Sequence, residues 1–143
     1  MDKGEAHMLT LVQFEHYWPL ISTEMDKVRD VWEIWWTKEA IHDAVMNGYM
    51  NVWVVGSEDT IYFTLFTQIV RYPANTILKI VLLVGNSLEK YYDIAEAVLE
   101  KFALGQGCSF METCARDGFK RRIKNASHHG VLLTRKVGTI RVQ

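Results

Sequence analysis

Several short constellations in this sequence carry side chains able to do chemistry. Val84-Gly85-Asn86-Ser87 places one glycine and two small polar residues directly after an apolar run. A glycine turn that opens a helix offers backbone N–H groups to an anion, and the helix dipole adds to the attraction. The same residues also make a plain strand-to-helix turn, in which Gly85 relaxes the backbone and Ser87 caps the helix. Glu112 is a carboxylate on a strand, where a general base could take a proton. Met111 and Thr113 alternate with it, so it also fits the polar face of a half-buried strand. Tyr62, Thr64 and Thr67 add hydroxyl groups on an earlier strand. Arg116, Lys120, Arg121, Arg122 and Lys124 form a basic run that Phe119 and Ile123, four apart, can anchor as a helix. That run is either a solvated face or a surface for phosphates, nucleic acid or an acidic partner.

Other reactive residue types lead nowhere. Cys108 and Cys114 are six apart on one predicted strand, roughly 20 Å at strand rise, and cannot bond there. His128 and His129 point opposite ways on an extended chain, with no nearby Cys, Asp or Glu to complete a metal set. No metal site is expected. The nucleotide-binding P-loop pattern is absent, and the basic run lacks a nucleic-acid motif.

The elements that must position these groups follow from periodicity. Residues 8–14 read as a first strand. Thr23 and Glu24 open a helix whose apolar positions, Met25, Val28, Val31, Trp32, Trp35 and Trp36, repeat at three and four. That spacing makes the tryptophans one cluster, for the core or for a subunit contact. Thr37 caps a second, shorter helix that Asn47-Gly48 ends. Residues 52–55 and 60–70 are strands joined by a turn at Gly56-Ser57-Glu58-Asp59. A third strand spans 76–84, and its tail, Ile80-Val81-Leu82-Leu83-Val84, is apolar on both faces, as in a strand covered on both sides. A long helix then presents Leu88, Tyr91, Tyr92, Ala95, Val98, Leu99 and Phe102 on one face. A strand at 108–115, a basic helix at 116–126 and a strand at 131–137 close the chain. The strand–helix–strand unit from 76 to 115 should be a right-handed parallel crossover. The whole is an α+β chain with a mixed central sheet and helices on both faces.

Composition narrows the class. The chain has 143 residues, 49% hydrophobic and 23% charged, which are the proportions of one globular domain spanning 1–143. No apolar run approaches the length of a membrane span, and the N-terminus leads into no signal-type segment. Two cysteines are too few for a disulfide framework and suit a reducing, cytosolic setting. The net charge of −1 conceals a division. Residues 1–115 carry eight Lys/Arg against sixteen Asp/Glu, a balance of −8, and 116–143 carry eight against Asp117 alone, a balance of +7. Such a chain can make head-to-tail contacts between identical subunits.

The element order resembles the GNAT acyltransferase fold over roughly residues 8–137. Certain segments are similar to GNAT-like proteins of short-tailed bacteriophages, encoded among virion morphogenesis genes. They are Trp36-Thr37-Lys38-Glu39-Ala40-Ile41 before the Asn-Gly stop, Asn51-Val52-Trp53-Val54, and Thr67-Gln68-Ile69-Val70-Arg71-Tyr72-Pro73. The strand ending at Gly85 and Ala115-Arg116-Asp117-Gly118-Phe119 complete the set. In such proteins the last segment commonly reads Gly-Arg-x-Gly-Trp, from which Ala115 and Phe119 depart.

The resemblance implies acetyl-CoA as a cofactor, its pyrophosphate held by Val84, Gly85, Asn86 and Ser87. In the family that loop is Arg/Gln-x-x-Gly-x-Gly/Ala. This chain has one glycine there and no leading Arg or Gln, and Glu89 in the first helical turn would oppose a phosphate. The expectation is therefore a bacteriophage virion morphogenesis or internal-protein assembly factor. It would use a GNAT-like fold as a binding scaffold without efficient acetyl transfer. Its partners would be proteins of phage particle assembly, in the cytoplasm of an infected bacterial host or in the virion. One alternative is an acetyl-CoA-dependent N-acetyltransferase, with Glu112 as the candidate base. Another is a nucleic-acid-associated protein using the basic helix 116–126.

Overall fold

Thr10 and Gln13 decide how the chain begins. Thr10 Oγ1 accepts a hydrogen bond from the Gln13 amide at 3.1 Å, and Gln13 Oε1 accepts one from the Thr10 amide at 2.9 Å. This reciprocal cap starts helix α1, Leu11–Asp26, inside the stretch predicted as a first strand. The actual first strand, β1, is Glu5–Met8. The computed structural model describes residues 4–33, 35–57, 60–85 and 88–113, all within the unit Met1–Thr113. Pro19 lies inside α1 and removes one backbone donor, but Phe14, Ile21 and Met25 still line up on one buried face.

The helix predicted to run from Thr23 through Trp36 is broken. α1 ends at Asp26, and a single turn, α2, occupies Arg29–Trp32. Trp32 folds back so that its indole N–H donates to the Met25 carbonyl oxygen at 2.9 Å, a second bond to an oxygen that also accepts from the Val28 amide at 3.1 Å. The tryptophans therefore divide: Trp32 is buried (4% exposed), Trp36 is half-buried against the core, and Trp35 stands 60% exposed. Thr37 caps α3, Lys38–Met46, through the Ala40 amide, as predicted. Asp26 bridges this region, with Lys38 at 2.7 Å and Arg29 at 2.9 Å. The Lys38 hydrogen bond, seconded by Arg29, holds the Asp26 carboxyl below its usual range.

β2 (Asn51–Ser57), β3 (Thr60–Arg71) and β4 (Thr76–Gly85) are antiparallel, and β5 (Phe110–Thr113) joins β4 in parallel after helix α4 (Leu88–Gly105). Together with β1, antiparallel to β2, they form one sheet in the order β1-β2-β3-β4-β5. Two cores cover its faces. On one face α1, α2 and α3 pack against Val52, Phe66, Leu82 and Val84. On the other, Tyr91, Ala95, Leu99 and Ala103 of α4 pack against Trp53, Val55, Phe63, Leu65, Leu78 and Ile80. Each buried Val, Leu, Ile, Phe or Met among them contributes about 1.5–3 kcal/mol.

β4 serves both cores. Leu78 and Ile80 face α4, whereas Leu82 and Val84 face α1, although all four are even-numbered. The cause is a register shift: Phe66 faces Leu82 while Thr67 faces Ile80, so Val81 is an extra residue. One inserted residue exchanges the faces of everything after it. At the same shift the buried Thr67 hydroxyl accepts from the Trp53 indole N–H at 3.0 Å.

The basic helix expected at 116–126, with Arg116, Lys120, Arg121, Arg122 and Lys124, lies outside the described residues, as do the strand expected at 131–137, Cys114, His128 and His129. Among the described residues no helix is long and apolar enough to cross a membrane. Thr67→Val keeps the volume at that site but leaves the Trp53 N–H unsatisfied. Urea denaturation should show a loss of about 1–3 kcal/mol.

Candidate functional site

β4 ends at Gly85, and α4 begins at Leu88, so only two residues separate the strand's carboxyl end from the helix N-terminus. The first-turn amides of a helix have no intrahelical acceptor and carry the positive end of its dipole. Ligands of open α/β sheets lie beyond the carboxyl ends of parallel strands, where β4 and β5 are the parallel pair here. β5 pairs with residues 77–80, the first half of β4. Among the described residues, no strand pairs with 81–85 on that side.

The predicted anion loop divides between the described and the undescribed. Val84 is buried in the core below α1, so only its backbone can face a ligand. Asn86 and Ser87 lie outside the described residues. Gly85 has φ +128°, which L side chains rarely adopt, and a Cβ there would meet Phe63 Cα and the Tyr62 carbonyl oxygen at 2.6 Å. The glycine is thus required by its contact with β3, and the plain turn reading accounts for it. For a CoA pyrophosphate the fit is one of backbone rather than of signature. α4 supplies amides, and Lys90 supplies a cation in the first turn, its Nζ 5.2 Å from the centre of the Tyr91 ring.

A cavity of about 30 Å³ lies beside the end of β4. It is lined by Leu20, Ile21 and Glu24 of α1 and by residues 61–64, Val84 and Gly85. That is room for at least one water. Of Tyr62, Thr64 and Thr67 on β3, the first two line it, with the Tyr62 hydroxyl itself bonded to Ser57 Oγ, whereas Thr67 is buried against Trp53.

Glu24 is the carboxylate that sequence reasoning missed. Its Oε1 also pairs with Lys27 at 3.0 Å. Reading 8–14 as strand placed Glu24 at a helix start, whereas the Thr10–Gln13 cap puts it in the last turns of α1, over β4. Glu112 is exposed on β5 opposite Lys79. Lys79 is six residues before Gly85, so Glu112 is roughly 20 Å down the strand direction from the helix N-terminus. The structure does not bring it to this end of the sheet.

Tyr92 on α4 is buried, and its phenol is pushed up to about 12 by burial, aided by the charges of Glu96 and Asp93. It holds its proton throughout the neutral range. Cys108 is buried and free, and it precedes β5 rather than lying on it. Among the described residues no group of His, Cys, Asp and Glu could hold a metal ion.

Solved structures share this order of strands and helices. An aminoglycoside acetyltransferase from an uncultured soil metagenomic sample, in complex with sisomicin, superposes with a TM-score of 0.68 at 14% identity, covering 94% of this chain and 97% of that one. Ribosomal-protein-alanine N-acetyltransferase from Brucella melitensis biovar Abortus 2308 gives 0.66 at 12% identity, covering 94% and 99%. A GNAT family acetyltransferase of Staphylococcus aureus gives 0.64 at 12%, covering 94% and 98%. The fold is therefore the α+β fold of the GNAT acetyltransferases, as its element order led us to expect. No family model and no curated protein sequence matches the chain.

Gly85→Ala should cost about 1–3 kcal/mol in urea denaturation, because both φ and the β3 contact resist a side chain. A glycine kept only for a ligand would give no such loss. The raised Tyr92 pKa sets an alkaline limb. The unfolded phenol ionises near pH 10 while the folded one keeps its proton to about 12, so stability falls as pH rises between those values. Tyr92→Phe should flatten that fall, read as the slope of the urea midpoint against pH.

Proposed function

We propose that this chain, taken as a single domain over 1–143, is a GNAT-fold N-acetyltransferase that takes acetyl-CoA beyond the carboxyl end of β4. One observation carries the reading: a parallel β4–α4–β5 unit in which the helix N-terminus lies two residues past the strand end. The acetyltransferases that share the fold support it. Acetyl-CoA, when bound, supplies the activated thioester. The first-turn amides of α4, joined by Lys90, would hold its phosphates, with Val84, Gly85, Asn86 and Ser87 as the loop. Glu24, beside a cavity large enough for one water, is the carboxylate best placed to take a proton from an acceptor amine through that water. Glu112, on the other half of the sheet, has no part in this reading. Arg116, Lys120, Arg121, Arg122 and Lys124 remain in it as an anion- or partner-binding surface.

A second reading keeps the fold and drops the chemistry: a scaffold for bacteriophage particle assembly, working with protein partners in the infected host or the virion. The single glycine of the loop, the missing Arg or Gln before it, and the structural need for Gly85 favour it. A thermal melt separates the two. A ligand at about 100 times its Kd adds about 2.7 kcal/mol, so millimolar acetyl-CoA should raise the Tm of an acetyltransferase by several degrees. An unchanged Tm, with virion proteins co-purifying, would replace the enzyme by the scaffold.

A further inference from the structure

The hairpin between β2 and β3 contains a second extra residue. Val55 faces Phe63 and Gly56 faces Ile61, so Tyr62 is the extra residue of a bulge on β3. Gly56 makes this bulge possible, because a Cβ there would meet the Thr60 carbonyl oxygen at 2.0 Å. Bulges re-aim side chains, and this one turns Tyr62 onto α4. Its ring stacks on that of Tyr91, centroids 4.3 Å apart and planes 7° from parallel. The Tyr62 hydroxyl shares a 3.0 Å hydrogen bond with Ser57 Oγ. Gly4 closes on the pair, its missing Cβ 3.1 Å from Tyr91 Cδ1 and 3.6 Å from Tyr62 Cε2.

Tyr91 is the fourth residue of α4, so the stack grips the helix at its first turn. The backbone of the same Tyr62 lies against Gly85, the last residue of β4. One residue therefore touches both sides of the strand-to-helix junction. A tie at this point controls the placement of the amides more directly than packing farther along α4.

We propose that Tyr62 is a positioning residue: its stack on Tyr91 fixes the first turn of α4 relative to the end of β4. It thereby sets the amides and the Lys90 ammonium that the phosphates of acetyl-CoA would meet. The ligand in this proposal rests on the acetyltransferase reading, whereas the clamp itself does not.

The test compares the full chain with Tyr62→Ala, Tyr62→Phe and Tyr91→Leu, by amide hydrogen exchange without ligand and by calorimetric binding of acetyl-CoA. In Tyr62→Ala the amides of residues 92–95, which close the first turn, should exchange about five- to ten-fold faster, the worth of one aromatic pair. The amide of Leu99, mid-helix, serves as the internal control and should not change. The Kd for acetyl-CoA should rise by a similar factor. Tyr91→Leu should reproduce both effects, and it stands in if Tyr62→Ala does not fold. Tyr62→Phe, which keeps the ring and loses only the Ser57 bond, should stay close to the parent protein on both. Exchange that is unchanged, or accelerated equally at Leu99, overturns the clamp. Faster exchange with an unaltered Kd overturns the positioning role. If the parent chain binds no acetyl-CoA, the acetyltransferase reading and the positioning role fall together, and the exchange pattern alone decides the clamp.

Discussion

A β-strand can serve two helical layers in succession only if something reverses which of its side chains face which layer. In β4 that something is Val81. Before it, Leu78 and Ile80 pack under α4; after it, Leu82 and Val84 pack under α1. Without the extra residue, the second half of the strand would present its large side chains to the wrong core. The position of α1 over the end of β4 depends on this exchange, and so does the cavity that Glu24 lines. The Trp53–Thr67 hydrogen bond ties β2 to β3 at the residue where the β3–β4 register shifts. The irregularity is thus braced by a buried polar pair rather than left to apolar contact alone.

Much of this was legible from residue order. The both-face apolar run at 80–84, the turn at Gly56 and the Thr37 cap before a three-and-four pattern each state their element in local chemistry. The parallel crossover followed from a strand, a long amphipathic helix and another strand in sequence. What failed was local as well. The apolar run at 8–14 has strand composition, and Pro19 argues against a helix through it, yet the Thr10–Gln13 cap starts one and Phe14, Ile21 and Met25 complete its face. The break after Asp26 is not visible in spacing. It depends on Trp32 reaching the Met25 carbonyl, a contact that exists only once the chain has turned back.

The site was less legible than the fold for the same reason. Bulges at Tyr62 and Val81 change which residues face which partner, and neither leaves a mark in hydrophobic periodicity. Gly56 was readable as a turn residue, but the need for glycine there comes from the Thr60 carbonyl across the hairpin. Glu24 became a candidate only when α1 lengthened at its start. Glu112 lost its place when the register set it opposite Lys79. The features that shape the candidate site are set by pairing between strands, whereas the features that carry the fold are set within them.

The contact between Gly85 and β3 has one further consequence, for how such a chain can change over generations. A loop glycine that a ligand requires is free to be replaced once binding is no longer selected. One that the neighbouring backbone requires is not. In this chain selection for folding alone would hold Gly85, while the positions around it could drift from one anion-binding pattern to another, or to none. The glycine would then outlast the activity it is usually taken to mark.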